Sequence, residues 1–403
     1  MDEYYFISPE DVLMPRGNRA FGSAGEHGEA NAMPWPSVFS GALRSALLGQ
    51  SSEALNDFAL GRRPQGAQGA ALGTPDEPGD FRLIWASFAR TDGRTVDPLV
   101  PLPADLVAFD SDDGKDTLLA LDPTAPPAGV CSSGELPMRA ILRSRKAGKP
   151  APARLINGEG LRSYLAGTTP KTTLQARELF ARELRLGIAL DAGARSASEG
   201  ALYTTEAVRF ARRGEPWPDP RQRLESVGSK NGPSTADTGY LVGVRGGLGL
   251  LPERGMLRLG GDARPARYQR VTVELPQVPP AHIAADNRFR LVLQTPALFR
   301  AGWIPNGVRR AGADYRLERE GFRARLACAA LPRFEVVSGW DIARMRPKAA
   351  QRAVAAGAVY WFDRVEGDAR KLVDWVQGGI WGDNADAARR AEGFNRAWLA
   401  VWR

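Results

Sequence analysis

Apolar residues in this 403-residue chain fall mostly in short runs broken by Gly and Pro, which predicts many short strands and few long helices. Tyr4 to Ser8 (YYFIS) reads as a buried strand closed by Pro9, and Phe81 to Phe88 (FRLIWASF) as a second. Leu99 to Val107 is extended and interrupted by proline. Thr173 to Leu184 predicts a helix with Leu179, Phe180 and Leu184 on its apolar side. Arg185–Asp191 and Ala201–Phe210 then read as two strands joined by a connection of hairpin length. Ala356 to Phe362 predicts a further strand. After it, Glu366 to Gln377 is an amphipathic helix, with Ala369, Leu372, Val373 and Val376 at helical spacing and Gly378-Gly379 as its stop.

The stretch Pro34 to Leu48 (PWPSVFSGALRSALL) predicts one more helix, with Phe39, Leu43, Ala46 and Leu47 as its buried stripe. Ser37, Gly41 and Arg44 fall together on another face. Ser37 is the expected N-cap, and Gly41 would let a backbone come close. The spacing leaves this face open between packing and a phosphate at the helix N-terminus. Arg212 to Gly239, rich in Pro, Gly, Ser and charge, reads as a domain connection or a disordered insertion. Phe289–Gly307 (FRLVLQTPALFRAGWIPNG) echoes the start of the chain: a strand ending in Thr-Pro, as the first ended in Ser-Pro, followed by a Pro- and Gly-containing loop. Strands alternating with a few helices, twice over, predict an α+β protein of two ferredoxin-like units, residues 1–235 and 236–403.

A chain with 43% hydrophobic residues has ample material for such a core. Fifty-four Lys and Arg against 46 Asp and Glu give a net charge of +8, which raises the case for a polyanionic partner only modestly. Cys131 and Cys328 are far apart, as are His27 and His282, so neither a disulfide framework nor a metal site is expected, and no cofactor. No basic–apolar leader and no run approaching the ~18–20 residues of a membrane span appear, so a soluble cytoplasmic protein is expected.

Four stretches carry candidate chemistry. Arg16-Gly17-Asn18-Arg19 offers backbone amides flanked by two guanidiniums; the alternative is a loop with solvated charges. His27, between Glu26 and Glu29, could serve as an acid or base in a metal-independent ribonuclease, although a surface histidine is the commoner outcome. Gly260-Gly261-Asp262-Ala263-Arg264, with Arg267 beyond, pairs a glycine doublet with arginines that could grip phosphates; its alternative is an exposed β-turn. Arg139 to Arg154 holds six basic residues and no acid, and its Gly and Pro predict a mobile loop. Arg245–Pro252 (RGGLGLLP) lacks the GK[ST] ending and the spacing of a phosphate loop. No aromatic RNP1 string, GxSxG or paired-carboxylate pattern stands out.

Taken in order, six segments resemble the third subunit of the Cmr complex, the type III-B CRISPR RNA-guided effector of the RAMP superfamily. They are VLMPRGNRAFG (Val12–Gly22), PSVFSGALRSALL (Pro36–Leu48), PLPADLV (Pro101–Val107), RLGIALDAGARSASEGALYTTEAVRF (Arg185–Phe210), LRLGGDARPARYQRV (Leu257–Val271) and AVAAGAVYWF (Ala353–Phe362). The resemblance implies two ferredoxin-like (RRM-like) RAMP domains with long loop insertions and a β-hairpin thumb. It also implies a non-catalytic subunit that holds the repeat-derived 5′ tag of the CRISPR RNA, docks on the large polymerase-like subunit and abuts a backbone RAMP subunit. Carried over by position, Arg16, Gly17, Asn18, Arg19, Ser37, Gly41 and Arg44 would bind the tag. The hairpin around Asp191 to Glu199, with Arg195 at its tip, would be the thumb, and Gly260, Gly261, Arg264 and Arg267 would complete the groove. Many RAMP proteins end in a glycine-rich RNA-binding loop. Here Asp383, Asp386 and Glu392 sit among Gly378, Gly379, Gly382 and Gly393, which assigns the tail to packing or to a partner subunit. The rival readings are an endoribonuclease processing precursor CRISPR RNA through His27, the equivalent subunit of a type III-A complex, and a scaffold whose basic loops meet only protein.

Overall fold

The computed structural model describes residues 2–15, 27–28, 31–110, 116–127, 129, 134–144, 148–191, 193, 196–215, 234–277, 286–341, 344–382 and 386–402, without the side chains of 27–28, 189, 191 and 197–203. The fold is mixed α+β, with mostly antiparallel strands and few helices. The chain forms two compact units interleaved in sequence: Met1–Pro98, Ala176–Val273 and Ser338–Lys348 make unit 1, and the remaining segments make unit 2. The expected boundary at 235/236 therefore falls inside unit 1.

In unit 1 the opening strand, Asp2–Pro9, runs between Asp237–Arg245 and Pro265–Val271, antiparallel to both. Arg82–Thr91 pairs with the far side of Asp237–Arg245, and Arg254–Arg258 with that of Pro265–Val271. Ranking the four longest-range strands by position in the chain gives the spatial order fourth, first, third, second. The helix Pro36–Leu48 follows the first strand and packs its Phe39, Leu43 and Leu47 against this sheet.

Unit 2 repeats that order. Phe289–Leu293 lies between Val359–Gly367 and Ala397–Ala400, and Phe322–Ala330 pairs beyond Val359–Gly367. The hairpin Val308–Ala311/Asp314–Arg319 extends the edge. The echo between the two halves thus has a structural counterpart, because both segments supply the first-ranked strand of their unit. The helices sit differently. Unit 1 carries its long helix after the first strand, whereas unit 2 carries Ala369–Gln377 and Ala387–Ala391 between the third and fourth. Leu372 and Val376 of that helix close on Phe289, Tyr360 and Phe362, the core of unit 2.

Three local expectations are corrected. Thr173 to Leu184 is not a helix: Leu174–Gln175 is a strand, Ala176–Glu178 a single 3-10 turn, and Phe180 opens a twelve-residue strand. Phe180–Asp191 instead pairs antiparallel with Ser196–Phe210, so long-range pairing overrides local propensity. The second helix begins at Ala369 rather than Glu366, because Asp368 caps it by accepting from the Arg370 amide at 2.8 Å. Within Arg139–Arg154, both ends are strands, and Arg154 is buried in ion pairs with Asp110 and Asp116. As expected of the tail, Phe394 and Asn395 are fully buried, and Arg389 is buried against Glu392 at 3.0 Å.

Unit 2 also encloses a polar knot. Arg290 donates to Asp105 at 2.5 Å, to the Tyr164 carbonyl at 2.9 Å and to the Val401 carbonyl at 3.0 Å, while the Tyr164 hydroxyl donates to Asp105 at 2.7 Å. All three side chains are buried. The adjoining cleft, lined in part by Trp361, Trp402 and Thr168, therefore has a floor whose charges are already satisfied.

Candidate functional site

The first candidate helix is held by an aromatic cluster. Phe39 meets Tyr240 edge-on at 4.9 Å, and Tyr240 in turn contacts Phe88 at 5.6 Å and Phe210 at 5.1 Å. The Tyr240 hydroxyl donates to the Ala32 carbonyl at 2.6 Å, which fixes the chain entering the helix. Burial pushes the Tyr240 hydroxyl well above the ordinary phenol value, so it stays a neutral donor.

Ser37 does not cap this helix. Trp35 occupies the N-cap position without a side-chain cap bond, Pro36 takes the first helical position, and Ser37 is one residue further in. Proline is favoured there because it has no amide to leave unsatisfied. Ser37 is half-buried, Gly41 exposed and Arg44 half-buried. A Cβ added at Gly41 would meet nothing within 4 Å. A mid-helix glycine costs about 1 kcal/mol relative to alanine, and no neighbouring atom demands it here. Arg44 is turned inward: its guanidinium donates to the Leu72 carbonyl at 3.3 Å and the Phe81 carbonyl at 3.1 Å, and lies over the Phe81 ring. It clamps the loop between those residues, a role its helical spacing does not announce.

The Gly260–Arg264 turn is built under constraint. Gly260 has φ 73° and ψ −157°, a region open essentially to glycine alone, and Asp262 and Ala263 are both left-handed at φ 56° and 51°. The Leu259 amide bonds the Arg264 carbonyl across the turn at 2.8 Å. The Gly261 amide donates to the Met14 carbonyl at 3.1 Å, which seats the turn against Met14 and Pro15. Arg264 is half-buried; its Nε has no partner among the described residues, and its Nη2 meets only the Met14 thioether, at 3.9 Å. Arg267 is exposed and paired with Glu10.

Met14 and Pro15 lead directly into Arg16-Gly17-Asn18-Arg19, which lie outside the described residues. The Asn31 amide returns to the Pro15 carbonyl at 3.1 Å, so the loop leaves and rejoins the body at one point, beside the turn. On either side of the loop the chain touches one strand of the long hairpin: Val12–Leu13 pair with Arg209 and Val208, and His27–Gly28 with Thr204 and Thr205. The His27 side chain and Arg195 are outside the described residues. The structure thus gathers at one place the base of the Arg16–Arg19 loop, the Gly260–Arg264 turn and the strand leading to the hairpin. Met14, Pro15 and Asn31, which the sequence reading missed, form the junction; the apolar pair before Arg16 was its one visible sign.

The hairpin Phe180–Asp191/Ser196–Phe210 has an anchored stem and a projecting blade. Phe180 and Phe210 pair directly and join the Phe88–Tyr240 cluster. Further out, Leu184, Leu186, Ile188 and Leu190 line one face and are 51–70% exposed. Among the described residues, no group of His, Cys, Asp and Glu is placed to hold a metal ion, and no helix is long and apolar enough to cross a membrane.

Residues 5–402 match the family model described as CRISPR-associated protein (Cas_Cmr3). The chain belongs to the Cas_Cmr3 family. Comparison with curated proteins finds no match. Among solved structures, the chain is similar to one in the cryo-EM structure of the type III-B Cmr-beta bound to cognate target RNA and AMPPnP, at 13% identity and a TM-score of 0.50, over 98% of this chain and 95% of that one. A chain of Cmr-beta bound to cognate target RNA is also similar, at 13% identity and a TM-score of 0.47, over 98% and 96%. The first likeness shows that a fold shared with that Cmr-beta chain extends over nearly the whole length of this chain, both units included.

Proposed function

We propose that this chain is a non-catalytic RNA-binding subunit of a type III-B CRISPR effector, holding the 5′ repeat-derived tag of the CRISPR RNA. Each unit is read as a decorated ferredoxin-like RAMP domain, each having kept one of the two crossover helices. The observation that carries the site is the strained Gly260–Arg264 turn, docked on Met14 and Pro15 at the root of the Arg16–Arg19 loop. Strain of this kind persists where the surroundings enforce it, commonly at ligand sites. Here it presents a guanidinium without an internal anion, beside a loop carrying two more. Arg16, Arg19 and Arg264 would neutralise tag phosphates, the exposed Gly41 face would let the strand pass close to the helix, and the hairpin would press on the RNA beside the tag. Arg44 and Arg267 are left out of the contact set, since both have internal partners. Partners in this reading are the CRISPR RNA, the large polymerase-like subunit and a backbone RAMP subunit.

Purification of the native complex, followed by sequencing of bound small RNA, tests this. A common 5′ end of fixed repeat sequence is expected. Absence of RNA, or RNA with random ends, counts against it, and site-specific cleavage lost in His27→Ala would replace it with the nuclease reading.

A further inference from the structure

The sheet of unit 1 ends in a strand whose outer edge is unused. Arg254–Arg258 pairs antiparallel with Pro265–Val271 in an unbroken register, and no further strand lies beyond it among the described residues. The Arg270 amide donates to the Glu253 carbonyl at 2.6 Å, and the Leu259 amide to the Arg264 carbonyl at 2.8 Å. Hydrogen-bonded pairs alternate along an antiparallel ladder, so Glu253, Gly255, Leu257 and Leu259 turn their backbone groups inward. The amides and carbonyls of Arg254, Met256 and Arg258 therefore point out from the edge. Leu257 is buried, and the helix Pro36–Leu48 packs on the strand, which holds it in place.

This edge is guarded by charge alone. Edge strands are ordinarily protected by proline, a bulge or charged side chains. Here there is no proline and no register shift, and Met256 at the centre is 53% exposed. Arg254 and Arg258 are exposed on either side of it, with no acidic partner among the described residues. That charge selects the occupant. A second copy adding antiparallel about Met256 would set Arg254 opposite Arg258 twice, and like charges directly opposite destabilise a pair. RNA fits the cations but not the edge. Phosphate oxygens accept from the amides and leave the outward carbonyls unpaired. Nor is there a ring for a base to stack on, since the residues opposite Arg254, Met256 and Arg258 are Gln269, Arg267 and Pro265. A peptide strand supplies donors and acceptors together, at the pitch of the edge.

We infer that the Arg254–Arg258 edge receives an extended acidic segment of a partner polypeptide as an added strand. Its acidic residues lie opposite Arg254 and Arg258 and an apolar residue opposite Met256, an alternating acidic–any–apolar–any–acidic pattern. Backbone bonds give the affinity, and the two arginines set the sign and register. The surface ends before Gly260 and uses none of the residues assigned to the tag.

The test uses the full chain and a fluorescein-labelled peptide, Thr-Glu-Thr-Val-Thr-Glu-Thr, followed by anisotropy. Saturable binding is expected, and none to the same peptide with lysine for both glutamates. In the double variant Arg254→Glu with Arg258→Glu the preference should reverse. The glutamate peptide should lose about tenfold and the lysine peptide should now bind, because opposite-charge pairs become like-charge pairs and the reverse. Backbone pairing is read on the peptide instead, with the parent chain unaltered. Methylating the amide nitrogen of the valine, which faces the edge, should abolish binding, whereas methylating that of the threonine beside it, which faces away, should leave most of it. Failure of the parent chain to bind the glutamate peptide overturns the inference. Equal affinity for the two methylated peptides overturns strand addition in favour of charge attraction alone. Unchanged peptide binding in the double variant, with lowered affinity for a labelled oligouridylate, makes the edge an RNA surface and overturns it as well. Arg264→Ala should weaken the oligouridylate and not the peptide, which reads the tag site and this edge apart.

Discussion

Arg44 and Arg264 are both half-buried arginines near the candidate site, and their surroundings give them opposite tasks. Arg44 holds two carbonyls, so Arg44→Ala should lower unfolding free energy by about 1.5–3 kcal/mol in urea denaturation, the range for hydrogen bonds to a charged group. Arg264 meets only a thioether, so Arg264→Ala should leave stability within about 0.5 kcal/mol while reducing RNA affinity and its salt slope by about one. The sequence shows both arginines near glycines and cannot separate them, because the difference lies in acceptors 28 and 37 residues away for one and their lack for the other. A pH effect belongs at this scale too. Burial pushes the Asp116 carboxyl up, but hydrogen bonds from Arg154 and Thr173 and the Arg154 charge outweigh it and hold it below the usual carboxylate value. A folded value below the unfolded one stabilises above the unfolded pKa, and that contribution disappears as pH falls below about 4. Asp116→Asn should therefore be less stable than the parent near neutrality and lose stability less steeply on acidification, as read by urea titrations at stepped pH. Cys328 is the simpler case: burial raises its thiol to about 11, so it should resist alkylation by iodoacetamide until the chain unfolds, which mass spectrometry of its peptide would show.

Elements differ in how plainly the sequence announces them. The helix at Pro36 is legible because its stripe repeats at 3.6 residues and a proline marks its first turn; its cap is not, because the serine that should cap lies one residue inside. The hairpin is legible in its two cores but not in its first five residues, Phe180–Leu184, where the spacing of Leu179, Phe180 and Leu184 mimics a helical stripe over so short a span. Its stem and blade obey different physics. Phe210 is buried among three aromatic rings, so Phe210→Ala should cost about 3–5 kcal/mol. Leu186 is 70% exposed, so Leu186→Ser should shift unfolding by no more than about 0.5 kcal/mol. Denaturation of the two variants side by side checks the division; a large loss in Leu186→Ser would mean that the blade is part of the folding core.

Across the whole molecule, the repeated fold was legible while its partition was not. The echo of Phe289–Gly307 with the chain start reflects two strands at the same position of two sheets, a local pattern that a single sequence can show. Interleaving leaves no such mark, because strand pairing between residues hundreds of positions apart is invisible to periodicity. It does have a consequence that separates the two partitions. A fragment of residues 1–235 would hold the opening strand, the helix and Arg82–Thr91, yet lack both strands that flank Asp2–Pro9. Of these, Asp237–Arg245 is buried along nearly all its length and also pairs with Arg82–Thr91, so without it the first and second strands have no hydrogen-bonded neighbour between them. Their unpaired backbone groups and the exposed faces of Tyr5, Ile7 and Phe88 would then meet water or other chains. The fragment should accumulate as aggregate or show no cooperative unfolding transition by circular dichroism, whereas the full chain should unfold cooperatively. A soluble, cooperatively folding 1–235 fragment would restore consecutive domains and remove Asp237–Arg245 from the core of unit 1.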